Sequence, residues 1–185
     1  VIRRALVLAA LSLAPFTASA AIVPDTAMVP VFVQACTAGT PSAESIEARM
    51  NADSAWTPVA DTDLAVEALG ATEGQMTEFR KPTGYKQWRR SVDGKEVRVL
   101  LASFGEKARY RTVCALLVPD VKNALPYWDG FKDAMKAAGL KGKSVNLVHF
   151  QEFSGKLADG RKARGEMFSR SGVLADKSMH MYLAF

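Results

Sequence analysis

The chain has 185 residues, with 24 Lys and Arg against 19 Asp and Glu, a net charge of +5 and only two cysteines. Beyond residue 20 there is length for one domain with a proper core and too little for two comfortable ones. No run of about 18 apolar residues occurs, which excludes a membrane-spanning helix, and Cys36 and Cys114 are too far apart in sequence to form a metal or redox motif.

Residues 1–20 read as an export signal. Arg3 and Arg4 form a positive n-region, Ala5 to Ala14 is an apolar run too short to span roughly 30 Å of hydrocarbon, and Ala18-Ser19-Ala20 supplies the small residues that a signal peptidase accepts. The cysteine of Val33-Gln34-Ala35-Cys36 lies too far beyond that run to be a lipoprotein site. Removal of the signal implies a periplasmic or secreted bacterial protein. In that oxidising compartment Cys36 and Cys114 are expected to form one disulfide, worth about 4–5 kcal/mol in the chain-entropy model.

Residues 21–185 then read as a single α+β domain. Residues 21–74 are mainly helical and acidic, and residues 75–185 are mainly β and basic. The charge changes sign near the boundary: residues 21–78 carry nine acids against Arg49 alone, and residues 79–185 carry 21 Lys and Arg against ten acids. Either the acidic helices neutralise the basic sheet, or the sheet presents a basic face to an anionic partner.

In the acidic part, Pro30 opens a short helix that places Phe32 and Cys36 on one face. Thr40-Pro41 starts a second helix with Ile46 and Met50 on its apolar stripe, and a third begins at Asp61 or Thr62 and stops at Gly70. Strands are expected at Met76 to Arg80 and on either side of Asp93-Gly94, a strong hairpin signal, at Tyr85 to Val92 and Lys95 to Phe104. Arg109 to Val118 is the next strand, with Tyr110, Thr112, Cys114, Leu116 and Val118 on one face. Residues 126–138 form the best amphipathic helix, through Trp128, Phe131, Met135 and Ala138. Val145 to Phe153 is a strand, residues 155–165 a basic loop or ribbon, and Glu166 to Ser171 and Met179 to Phe185 the last strands. The expected architecture is an antiparallel β-sheet of five to seven strands with helices packed on one face. No internal repeat is evident.

No arrangement of residues specifies a catalytic or metal centre or a cofactor. Met179 and Met181 would share one face of a strand and His180 the other, so the three cannot grip one ion. The glycine-punctuated segment 155–165 lacks the Lys-Ser/Thr ending of a phosphate loop. His149 and His180 offer an acid and a base for a small extracytoplasmic hydrolase of phosphodiester or glycan bonds, but nothing in the sequence brings them together. The remaining signal is basic and aromatic. Arg89, Arg90, Arg98, Arg109 and Arg111 interleave with Trp88 and Tyr110 on neighbouring strands, and Lys156, Arg161, Lys162 and Arg164 crowd the later ribbon. The pattern points to a non-catalytic binding or accessory module whose partner is an anionic envelope polymer or another periplasmic protein. The alternatives are the hydrolase and a structural or assembly protein.

Overall fold

The computed structural model describes residues 27–60, 82–121, 124–143, 150–170 and 178–185. The expected signal peptide, the helix ending at Gly70, the strand at Met76 to Arg80, the beginning of the strand at Val145, and His149 lie outside the described residues.

The first helix, α1 (Met28–Phe32), continues directly into a π-helical turn over Val33–Thr37. Pro30 is tolerated because it stands in the first turn, where no intrahelical donor is required. Phe32 and Cys36 are both fully buried, as their spacing requires. The carbonyls left open at the end of the turn are met by a side chain: Arg49 donates from Nη1 to Ala38 O at 3.2 Å and from Nη2 to Ala35 O at 3.1 Å. The second helix, α2 (Ala43–Ala52), begins two residues after the expected Thr40-Pro41 start. Ser42 and Ser45 cap it reciprocally, with Ser45 N donating to Ser42 Oγ at 3.0 Å and Ser42 N to Ser45 Oγ at 2.9 Å. The third, α3 (Leu125–Ala137), carries Pro126 in its first turn and is followed by Gly139 at φ +87°, a left-handed stop. Tyr127, Phe131 and Met135 are its buried stripe.

The strands are β1 (Thr57–Val59), β2 (Gly84–Val92), β3 (Lys95–Ser103), β4 (Thr112–Pro119), β5 (Leu140–Lys143), β6 (Phe150–Lys156), β7 (Lys162–Arg170) and β8 (Ser178–Ala184). They form one antiparallel sheet in the order β1-β2-β3-β4-β8-β7-β6-β5. This corrects the expectation of five to seven strands: the described residues are mostly an eight-stranded sheet with three short helices. The two strands that the pattern missed, β1 and β5, are the edges. Thr57-Pro58-Val59 is too short for alternation and contains a proline, which an edge strand tolerates, and Leu140-Lys141-Gly142-Lys143 reads as polar. The ribbon at 155–165 is the end of β6, a turn and the start of β7.

Alternation divides the sheet cleanly. Val97, Val99, Leu101, Cys114, Leu116, Met179, Met181 and Leu183 join the core beneath α1, α2 and α3. Leu100, Ala102, Val113, Ala115, Phe168, Tyr182 and Ala184 form a second cluster on the opposite face. Tyr110 belongs to that second cluster rather than sharing a face with Cys114, because the strand begins only at Thr112 and the alternation does not extend back through the turn. Cys36 and Cys114 stand at disulfide-bonding distance, with a Cα–Cα separation of 5.5 Å, and tie the π turn to the centre of the sheet.

The strand order also contains a duplication. Among the described residues a helix followed by four successive antiparallel strands, a meander, occurs twice, each meander runs from an outer edge to the centre, and β4 meets β8 antiparallel. One cross-strand row shows the relation: Val59, Gln87, Leu100, Ala115, Tyr182, Glu166, Glu152 and Lys143 are paired in succession. A pseudo-two-fold axis between Ala115 and Tyr182 exchanges Leu100 with Glu166 and Gln87 with Glu152. It also relates Trp88 to Phe153, Val99 to Gly165, Arg98 to Arg164 and Cys114 to Met181. The sequence retains too few identities to reveal this. Asp93-Gly94 against Asp159-Gly160, both hairpin turns, is the clearest.

Candidate anion-binding end

Antiparallel pairing brings the β3–β4 connection and the β6–β7 hairpin to the same end of the sheet. Phe185 is the joint between them. Its carbonyl accepts from Arg111 N and Thr112 N, each at 2.9 Å, and the Arg161 guanidinium lies over its ring at 4.9 Å. Arg161 also donates to the Pro41 carbonyl and, from Nε, to Asp159 Oδ2 at 2.7 Å. These bonds hold the Asp159 carboxyl below its usual range. Glu44 is lowered as well, by hydrogen bonds from its own backbone N–H and from Ser42, with Arg161 adding attraction. The Arg109 guanidinium stands 5.4 Å from the ring centre of Tyr110, which is itself buried.

The hairpin places Lys156 and Lys162 directly opposite each other across β6 and β7, and both are exposed. Among the described residues neither ammonium has a carboxylate partner, nor does that of the exposed Lys141 on β5. Like charges directly opposite on a sheet repel, so this arrangement costs free energy until an anion compensates it. Seven of the predicted positions therefore meet at one end: Arg109, Tyr110, Arg111, Lys156, Arg161, Lys162 and Arg164.

The other four lie elsewhere. Trp88 is in the core, its Nε1 donating to Asn51 Oδ1 at 2.9 Å. Arg90 points to the helix side, 4.0 Å from Asp53 and over the Trp56 ring. Arg89 and Arg98 both face Glu96, at 3.5 and 3.0 Å. Together with Lys86 paired to Glu47 on α2, these contacts neutralise much of the first meander from within. The single platform expected from Arg89 through Arg111 is thus divided.

A second group went unrecognised in the sequence. Glu166 is 1% exposed, opposite Glu152 on β6 and Tyr182 on β8. Arg164 pairs with Glu166 and stands 3.4 Å from Glu152. Burial pushes the Glu166 carboxyl above its usual range, although the Tyr182 hydroxyl bond and Arg164 pull it back. Burial, and next the charge of Glu166, push the Tyr182 phenol well above its own. So enclosed a carboxylate cannot touch a polymer. On the adjacent row His180 is 5% exposed, stacked on Phe168 at 4.8 Å, and its Nε2 shares a hydrogen bond of 3.0 Å with Ser178 Oγ. Met179 and Met181 point to the opposite, helix-covered face.

An alignment of the two hairpin dipeptides was the signal available in the sequence. Treating Asp159-Gly160 like Asp93-Gly94 makes the ribbon a hairpin; its loop is one residue longer, over 158–160, and this shifts the register so that Lys156 meets Lys162. No family model, no curated protein and no solved structure is similar to this chain.

Proposed function

We propose that this chain is a non-catalytic, extracytoplasmic binding module that engages an anionic envelope component through the basic end of its sheet. The observation that supports this most is the opposed, exposed Lys156–Lys162 pair, beside Lys141 and next to Arg111 and Arg161. Such a cluster is relieved by a multivalent anion, and neutralising it releases counterions and makes binding salt-dependent. The Cys36–Cys114 pair, which fits an oxidising compartment, and the export signal read from residues 1–20 support the location.

The test is a salt titration of binding to lipopolysaccharide beside a thermal melt. Reversal of Arg111 and Lys162 to glutamate is expected to weaken binding by about tenfold or more at low salt and to leave the melt unchanged, because both side chains are exposed. Arg89→Gln, at a residue already facing Glu96, should have little effect. Binding that is insensitive to salt, or the same loss from Arg89→Gln as from the double reversal, would overturn the proposal.

A further inference from the structure

We infer that the basic end holds a phosphate monoester over Ser154, on the sheet face away from the helices. This rests on the binding function proposed above and names the anionic group and its seat. Ser154 on β6 is exposed and stands directly opposite Lys141 on β5 and Arg164 on β7. Lys156 follows two residues along the same strand, and Lys162 is the diagonal neighbour on β7. Leu140, Phe153 and Ala163, which precede Lys141, Ser154 and Arg164 in the chain, belong to the core beneath the helices. Alternation therefore puts all of these polar side chains on the other face. Cross-strand and diagonal spacings set the four cationic residues within roughly 5–8 Å of Ser154, measured between Cβ atoms. The hydroxyl is ringed by cations.

The charges of this ring do not cancel. Arg164 meets Glu166 and Glu152 through Nη2, and its buried Nε has no acceptor among the described residues. The ammoniums of Lys141, Lys156 and Lys162 have no carboxylate there, and the Ser154 hydroxyl has no hydrogen bond. The first meander shows how the same backbone balances itself. The pseudo-two-fold axis relates Ser154 to Arg89, Arg164 to Arg98 and Lys162 to Glu96. There Glu96 supplies an internal carboxylate, 3.5 Å from Arg89 and 3.0 Å from Arg98. In the second meander a lysine stands in place of that acid, so the balancing anion comes from outside the chain. A carboxylate offers one charge and two oxygens to three ammoniums. A phosphate monoester carries about −1.5 to −2 at pH 7 and presents three acceptor oxygens, with the Ser154 hydroxyl as a further donor.

The experiment is calorimetry on the whole protein with glucose 1-phosphate and, at equal ionic strength, glucuronate, a similar sugar that ends in a carboxylate. Glucose 1-phosphate should bind about tenfold more tightly or better. Lys141→Gln, at an exposed edge position, should weaken it about tenfold. Ser154→Glu, which sets a carboxylate inside the ring, should abolish it without lowering the melt. If that variant is destabilised, Ser154→Ala should still weaken binding about fivefold. Lys136→Gln, an equal charge change at an exposed position of α3, should leave it unchanged. Equal affinity for glucuronate, or the same loss from Lys136→Gln as from Lys141→Gln, would overturn the inference. Lipopolysaccharide binding that remains salt-dependent and needs Arg111 and Lys162, with none to glucose 1-phosphate, would overturn the inference alone. Lipopolysaccharide binding unaltered by enzymatic removal of its phosphates, with glucose 1-phosphate bound as expected, would assign the seat to a soluble ester and overturn the envelope reading. Absence of salt-dependent binding to any anion would overturn both.

Discussion

The two meanders share one topology and solve the same packing problem differently. In the first, α1 and its π turn are fixed to β4 through Cys36 and Cys114; at the position related to Cys114, β8 carries Met181, fully buried and held by packing alone. In the first, Val99 fills the space beneath the helices; in the second, Gly165 stands there and the side chain of Met135 descends onto it. On the opposite face the central row is Gln87, Leu100 and Ala115 in one half but Glu152, Glu166 and Tyr182 in the other. One half is covalently braced and internally neutralised. The other is packed around a buried acid and presents opposed lysines at its tip. A repeated backbone thus constrains where side chains stand and not what they do: the buried acid and the opposed lysines occur in the second copy, without counterparts at the related positions of the first.

The strongest way to test this contrast is to remove the brace. Cys36→Ser with Cys114→Ser should lower stability by about 2–5 kcal/mol, the usual range for a native bridge in a small secreted domain, as read from denaturant midpoints. Partial opening of the first half ahead of the second would appear in hydrogen exchange as early loss of protection in residues 28–37. Uniform loss across both meanders would show that the halves are one cooperative unit and that the brace serves both.

Much of this fold was legible because its central elements obey simple periods. Asp93-Gly94 located a hairpin whose residues turn at φ 50° and 76°, and the alternation from Cys114 to Val118 assigned the core face. Pro126 and Gly139 bounded α3 to within a residue. The failures also have physical causes. Edge strands bury little, so Thr57–Val59 and Leu140–Lys143 carry no alternation, and the strand count came out too low. The arginines on β2 and β3 formed a plausible surface in sequence, but charge is settled by three-dimensional neighbours. Glu96 and Asp53 take Arg89, Arg98 and Arg90, whereas Lys156 and Lys162 meet only through register. The acid at Glu166 looked like any strand glutamate because burial from a neighbouring row is invisible to local pattern.

A smaller effect probes the packing contrast directly. A methyl group added at Gly165 would overlap Met135 Sδ, and Met135 is fully buried with no solvent to swing into. Gly165→Ala should therefore cost about 1–3 kcal/mol through overpacking, with the denaturant slope unchanged. Combining it with Met135→Val, which withdraws the sulfur, should recover part of that loss, so that the double variant is more stable than the sum of the single changes predicts. Strict additivity would mean that α3 already has room to shift away from β7, and that the two halves are equally tolerant of volume.

The last test changes one proton. Because burial raises the Glu166 carboxyl above its usual value near 4.5, the folded protein holds a proton there over a pH range in which the unfolded chain has released it. The contribution of this group to stability is therefore present in full below the unfolded value and is lost as pH rises through the raised folded value. Among the described residues the groups that face it are Glu152 from β6, Arg164 beside it on β7, and Tyr182 and the diagonal His180 from β8. Glu166→Gln keeps the shape and removes the proton equilibrium while the other four remain, so the difference between the two stability-versus-pH curves isolates Glu166. The unaltered protein should lose stability relative to the variant as pH climbs from about 4.5, and the two should run parallel once the acid is ionised in both states. An acid placed in the first meander at the position related to Glu152, Gln87→Glu, should behave differently, because position 87 lies opposite the apolar Leu100 and not opposite a second acid. Parallel curves over the whole range for Glu166→Gln would show that Arg164 and Tyr182 fully offset the burial, and would leave the two halves distinguished by packing and surface charge alone.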